Sequence, residues 1–347
     1  MKGATKKLNS IQILRGIACL MVFYSHISFF LPECFGLGHA AVSIFIILSG
    51  FLIGFNGNLP RNGIEYAYNK MKKLWPLHCV MFIVSIPLLF LETALIVNLK
   101  TIVKLFVKGV INLCLLQSWI GKSSIYFGYN GVAWFLSTMM FLYLAAPYLY
   151  RFFKTKKCLI SLCIMYLIMI VLGCLIGKYN YEYTTYIFPI IRLFDFTCGI
   201  ISGIWFRNKN YINKSESERN LNQLVIAICT FVMALILEKY LPQFMRLSIW
   251  YVPFSIFLIY SVAGANDIIQ MRGGGRLVSC IGNMSMEIFL LHQVIIRYGI
   301  LLQKNFLINK CIVLIGIVCL TIILSQILYG YRINKKKVIL MNSNKGE

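Results

Sequence analysis

The run AAVSIFIILSGFLIGFN, Ala40 to Asn56, holds seventeen residues and no charge. As a helix rising 1.5 Å per residue it covers most of the ~30 Å hydrocarbon core of a bilayer. Apolar runs of similar length recur along the chain, at 11–30, 74–97, 131–150, 158–177, 186–206, 222–240, 247–264, 280–302 and 311–330, separated by short polar breaks. The runs are continuous and lack period-two alternation, which selects helices over a membrane barrel. Over 347 residues the chain is 59% hydrophobic and 13% charged, with a mean hydropathy of +0.76, outside the range of soluble domains. The sequence therefore predicts an all-α polytopic transmembrane bundle, a multi-pass integral protein of the cell membrane.

The net charge of +23 would suggest nucleic acid in a soluble protein. Here the lysines and arginines fall in the breaks and near the ends, where they act as orientation signals and contacts to an anionic surface, and no nucleic-acid role is predicted. No long soluble segment is present, so activity is expected within one transmembrane domain, 1–330, followed by a basic cytoplasmic tail, 331–347. A further run, 102–120, is decided by charge. With ten spans and a cytoplasmic N-terminus, and Lys239 counted with the break that follows its span, 22 Lys and Arg lie inside and 9 outside; if 102–120 also crossed, the count would be 13 against 16. Ten spans with both termini cytoplasmic are predicted, and Lys104 and Lys108 mark 102–120 as an interfacial or re-entrant helix. The opening MKGATKKLNS precedes a run with no clear cleavage site, so the first span is expected to be retained. The 12 cysteines lie almost entirely in apolar runs and form no CxxC pair, which reads as packing, with no disulfide framework and no metal site predicted.

Ionisable groups inside spans are costly and call for a partner or a task. Arg15 and His26, in LRGIACLMVFYSH, are eleven residues apart, which returns them to within about 20° of one helical face at a separation of about 16 Å. Ser49 and Gly50 interrupt the apolar run above, as a close helix contact or as room for a ligand chain. Lys70, Lys72 and Lys73 stand directly before Trp75 and Pro76, where they orient the span and suit a phosphorylated cofactor. Trp134 opens the span GVAWFLSTMMFLYLAAP. Arg192 and Asp195 are three apart on one face, an internal ion pair or a substrate contact. Glu287, His292 and Arg297 share one span, His292 near its middle. Sorted by depth, the lysines, Arg15 and Ser49–Gly50 fall toward the cytoplasm, and His26, Trp134, Arg192 and Asp195 toward the other side. A charged donor and an acceptor entering from opposite faces would fit that order.

The ordered set of motifs resembles the acyltransferase-3 family: the Arg-x10-His spacing of Arg15 and His26, SGFLI at Ser49–Ile53, the basic cluster before Leu74-Trp75-Pro76, the WFLS to FLYL stretch from Trp134 to Pro147, and SMEIFLLH ending at His292. The resemblance implies a membrane O-acyltransferase that moves an acyl group, usually acetyl, from acyl-CoA to a sugar hydroxyl of an exopolysaccharide, capsule, O-antigen or similar glycan. It implies that Arg15 and His26 are essential, with His26 as general base, and that Lys70, Lys72 and Lys73 handle the phosphates of acetyl-CoA, with Ser49 and Gly50 nearby. Trp134, Arg192, Asp195 and His292 are the candidate acceptor contacts. Two departures stand out. Lysines replace the arginines common in the family's cluster, and Ser137, Thr138 and Met139 stand where many members carry a glutamate.

Two other classes fit a many-helix bundle with buried charge. A transporter or flippase for a glycan or lipid-linked sugar predicts internal symmetry and broken helices near the midplane, and neither is visible in the sequence. A non-catalytic partner in glycan assembly gives no reason for His26 and the lysines to share a cavity. A homo-oligomer is compatible with either class.

Overall fold

The computed structural model describes residues 8–32, 36–93, 98–154, 158–176, 180–210, 217–271 and 276–343. Residues 344–347 of the expected basic tail lie outside them. Fifteen α-helices follow in order: α1 Asn9–His26, α2 Leu37–Asn56, α3 Gly63–Met71, α4 Trp75–Thr93, α5 Leu99–Leu113, α6 Ser123–Tyr126, α7 Trp134–Phe153, α8 Cys158–Ile176, α9 Pro189–Asn210, α10 Ser217–Leu237, α11 Tyr251–Gly264, α12 Asn266–Met271, α13 Arg276–Asn283, α14 Ser285–Phe306 and α15 Lys310–Ser343. The fold is an all-α polytopic bundle, and among the described residues nine helices are long and apolar enough to cross a membrane. They correspond to nine of the ten expected spans. The tenth, 11–30, is α1, which stops at His26 and gives way to a turn over 28–30.

The most apolar helices are not the most buried, as expected where lipid is the outer solvent. In α8 only 11% of the central window is buried, against 72% in α2 and 78% in α9. The α2–α9 contact is the most extensive between helices among the described residues, for a sequence reason. Gly50 and Gly54 of α2 and Gly199 and Gly203 of α9 are each four apart, and a Cβ on any of them would run into backbone atoms of the opposite helix. Small residues at that spacing let two backbones meet and gain dispersion contacts where no hydrophobic drive operates. Gly50 is therefore a helix contact: the backbone of Phe196 occupies the space that the sequence reading offered to a ligand chain.

The doubtful run 102–120 is not one helix. α5 begins at Asn98, whose side chain caps Thr101 at 2.9 Å, and ends at Leu113. Its fifteen residues rise about 22 Å, short of the bilayer core. Its last turn meets the first turn of α4, where Trp75 Nε1 donates to the Leu113 carbonyl at 3.1 Å and His78 Nε2 lies 3.1 Å from the Asn112 carbonyl. Farther back on α5, Gly109 lies against Phe82 and Tyr129, so α5 runs antiparallel to α4. The chain then returns through short turns to the start of α7, where Ser118 and Ser137 hydroxyls meet at 2.6 Å. The run therefore doubles back against α4 instead of continuing as a single long helix.

Candidate active site

Two wide π-type turns, Tyr183–Ile187 before α9 and Met245–Ile249 before α11, set the depth of the site. Such turns displace side chains from regular helical positions. They bring Tyr186 and Ser248 alongside Arg192. The Arg192 guanidinium pairs with Asp195 at 2.7 Å, donates to the Ser248 hydroxyl, and reaches Ser43 at 3.5 Å, all fully buried. Ser248 in turn donates to Asp195 at 3.1 Å. Tyr186 lies across the guanidinium at 5.4 Å and separates this cluster from the cavity beyond.

That cavity, about 230 Å³, is where α1 ends. His26 and Ser25 line it together with His39 of α2, Trp134 of α7, Tyr186 and Gln293 of α14. His26 is half-buried, and its ring is fixed: Nδ1 lies 2.8 Å from the Val22 carbonyl and 3.2 Å from the Ser25 hydroxyl. A carbonyl only accepts, so Nδ1 carries the proton and Nε2 is the bare nitrogen. His292 stands edge-on to His26 with ring centres 4.9 Å apart, buried, its own Nδ1 3.0 Å from the Ile288 carbonyl. It backs the His26 ring without lining the cavity. Trp134 packs against Tyr186 at 4.9 Å, and His39 meets Tyr186 edge-on at 4.7 Å. Gln293 Oε1 accepts from the Val132 amide at 2.9 Å and fixes the turn that starts α7. At the rim, Glu182 accepts from the Tyr126 hydroxyl at 3.2 Å. Burial, reinforced by the Glu182 charge, pushes the Tyr126 phenol up to about 12, so it stays a donor throughout the neutral range. Gly36, with φ of +78°, completes the rim in a left-handed conformation, and a Cβ there would strike the Glu238 carboxylate.

About 16 Å back along α1, on the same face, Arg15 belongs to a second cluster. Tyr143 of α7 lies beside Ser49, whose hydroxyl donates to the Phe45 carbonyl at 2.8 Å, and within electrostatic reach of Arg15. Lys70 of α3 is exposed, yet its Nζ stands 5.2 Å from the Tyr66 ring and 5.9 Å from that of Tyr143. Partial desolvation holds Lys70 below the ordinary lysine range, and the like charges of Lys73 and Arg15 add to it. Among the described residues no carboxylate pairs with Arg15.

The structure thus divides the residues singled out in sequence. His26 and Trp134 share the cavity, with His292 behind. Arg15, Ser49 and Lys70 share the second cluster. Lys72 and Lys73 line a groove beside α4, with Lys73 still within electrostatic reach of Lys70. Arg192 and Asp195 do not reach the cavity, because Tyr186 intervenes; Nη1 of Arg192 is taken up by Asp195 and Ser248, while its Nε is buried without a partner. His39, Tyr186, Glu182 and Gln293 were not expected. His39 carried the one usable signal, a histidine at the mouth of a very apolar run.

A family model described as an acyltransferase domain, that of the acyltransferase-3 family, matches residues 8–330. Acyltransferase MdmB of Streptomyces mycarofaciens is 25% identical over 340 residues, covering 84% of this chain and 80% of that protein. No solved structure matches.

Proposed function

The chain belongs to the acyltransferase-3 family, and on that premise we propose that this membrane acyltransferase moves an acyl group, acetyl in the first instance, from acyl-CoA to a sugar hydroxyl of a cell-surface or exported polysaccharide. The observation that carries the reading is the tautomer of His26. With Nδ1–H held by Val22, Nε2 is free to take the hydroxyl proton in a cavity lined by both aromatic and polar side chains. The hydroxyl oxygen then bonds to the thioester carbonyl carbon, the C–S bond breaks, and the proton on Nε2 passes to the leaving CoA sulfur. Trp134 and Tyr186 offer flat faces to a sugar ring, and His39, Glu182 and Gln293 offer polar contacts.

The donor is proposed to enter beside Arg15, Ser49, Tyr143 and Lys70. A cation without a carboxylate partner inside a bundle is costly unless a ligand supplies the anion or carbonyl that it lacks. The acyl arm would then run along α1 to His26. Arg192 is left out as an oxyanion donor, since Tyr186 stands between its guanidinium and the cavity. Arg192, Asp195 and Ser248 are proposed to hold Tyr186 in place.

The test is transfer of label from acetyl-CoA to cell-surface glycan, comparing wild type with His26→Ala at equal expression. Loss of a general base predicts a drop of about 10²–10⁴-fold with CoA binding retained. Undiminished labelling in His26→Ala removes the base assignment, and a wild type silent with acetyl-, propionyl- and succinyl-CoA alike would sink the donor assignment.

A further inference from the structure

Outside the site, a groove of about 1680 Å³ runs between α4, α14 and α15. α14 separates it from the His26 cavity: Phe289 and Gln293 line the cavity, and Leu291, Val294 and Ile295 line the groove. The groove's polarity is uneven along its length. α4 and α14 run parallel, since Leu77 and Met81 pack with Leu291 and Val294 while Tyr298 donates to the Val84 carbonyl at 2.8 Å. α15 runs back against them, Arg332 pairing with Glu287 at 3.1 Å and donating to the Asn283 carbonyl at 3.1 Å. The start of α4, the start of α14 and the end of α15 therefore coincide. At that end the groove carries Lys72, Lys73, Arg332 and Lys335 against one carboxylate, Glu287, and beyond it the walls are almost wholly aliphatic.

We infer that this groove holds an anionic phospholipid, its phosphate at the four cations and an acyl chain along the α4–α15 walls. An exposed apolar helix face is ordinary in a membrane protein, but a concave one ending in a cationic cluster matches both parts of one molecule. The groove is long enough for an acyl chain: from Arg332 to Ile312, both in its lining, is twenty residues or about 30 Å of helix, more than the hydrocarbon of one leaflet. The inference also gives a ligand to Lys72 and Lys73, which line this groove. It stands apart from the acyl-transfer reading, and its test avoids every residue assigned to the donor.

The full chain in neutral detergent is mixed with equal phosphatidylglycerol and phosphatidylcholine of matched chains, and retained lipid is counted by native mass spectrometry. At about 1 kcal/mol per basic residue near an anionic headgroup, each cation contributes roughly fivefold. Wild type should keep phosphatidylglycerol at least about fivefold over phosphatidylcholine, and Lys335→Gln should cut that preference about fivefold. Val80→Trp with Ile327→Trp, two groove residues that are 53% and 61% exposed and so tolerant of bulk, should expel the lipid while the melting temperature stays unchanged. Equal retention of the two lipids in wild type overturns the inference. So does phosphatidylglycerol retention that both sets of changes leave untouched, or its displacement by millimolar inorganic phosphate, which would reveal a plain phosphate site.

Discussion

A histidine with Nδ1 committed to a backbone carbonyl has one nitrogen left for chemistry, and α1 makes that commitment in its last turn, at His26. At Lys70 the relevant quantity is charge. Its folded-state pKa lies below the ordinary lysine range, so as pH rises the binding-competent cation is lost before that of an ordinary lysine. CoA binding measured by titration calorimetry should weaken on the alkaline side before an ordinary lysine titrates. Lys70→Gln should remove that limb and weaken binding about tenfold, in line with about 1.5–3 kcal/mol for a hydrogen bond to a charged group. A binding curve that is flat in pH up to the normal lysine range would take Lys70 out of the donor site. The buried pair at Arg192 and Asp195 makes a different prediction. Asp195→Asn strands a guanidinium and should cost about 3–5 kcal/mol, seen as a lowered melting temperature in detergent, whereas Arg192→Met with Asp195→Leu should recover most of it. Equal damage from the single and double changes would mean that the pair's charge is not what matters there.

At the scale of helices, the α2–α9 crossing depends on four glycines whose missing side chains are occupied by the partner's backbone. Leucine at Gly54 or Gly203 should force the helices apart at a cost of about 1–3 kcal/mol, read as loss of folded protein on heating. Gly316→Ala is the matched control, because a Cβ there meets nothing within 4 Å. If all three behave alike, close approach is not what those glycines provide. The sequence showed half of this contact. Gly50 was marked as a close helix contact or as room for a ligand chain, but which helices pair is decided by packing over the whole bundle, so its partner on α9 could not be read. The same distinction applies to α5. Its two lysines and borderline hydropathy argued against a full crossing, and its fifteen-residue length and return path agree, but its antiparallel seat against α4 comes from the Trp75 and His78 contacts with its last turn.

Across the whole molecule, spans were legible because each depends on local composition, whereas the cavity draws on α1, α2, α7, α14 and a turn before α9, which no local pattern links. The Arg15–His26 relation is the exception, since one helix carries both residues and its period fixes their face. His39 and Tyr186 escaped notice because each lies where a span meets a turn, a place in which polar and aromatic residues need no special explanation. Sidedness is the part of the global arrangement that still rests on charge, and it can be tested in intact cells. In a cysteine-free background, single cysteines at Lys122 and Lys304 should react with an impermeant thiol reagent, while those at Lys154 and Lys335 should react only after permeabilisation. If α5 and the turns after it made a full crossing, every later loop would exchange sides. Lys122 and Lys304 would then be protected and Lys154 and Lys335 would label, placing the donor cluster near Arg15 and the His26 cavity under a topology that the 22-to-9 charge asymmetry opposes.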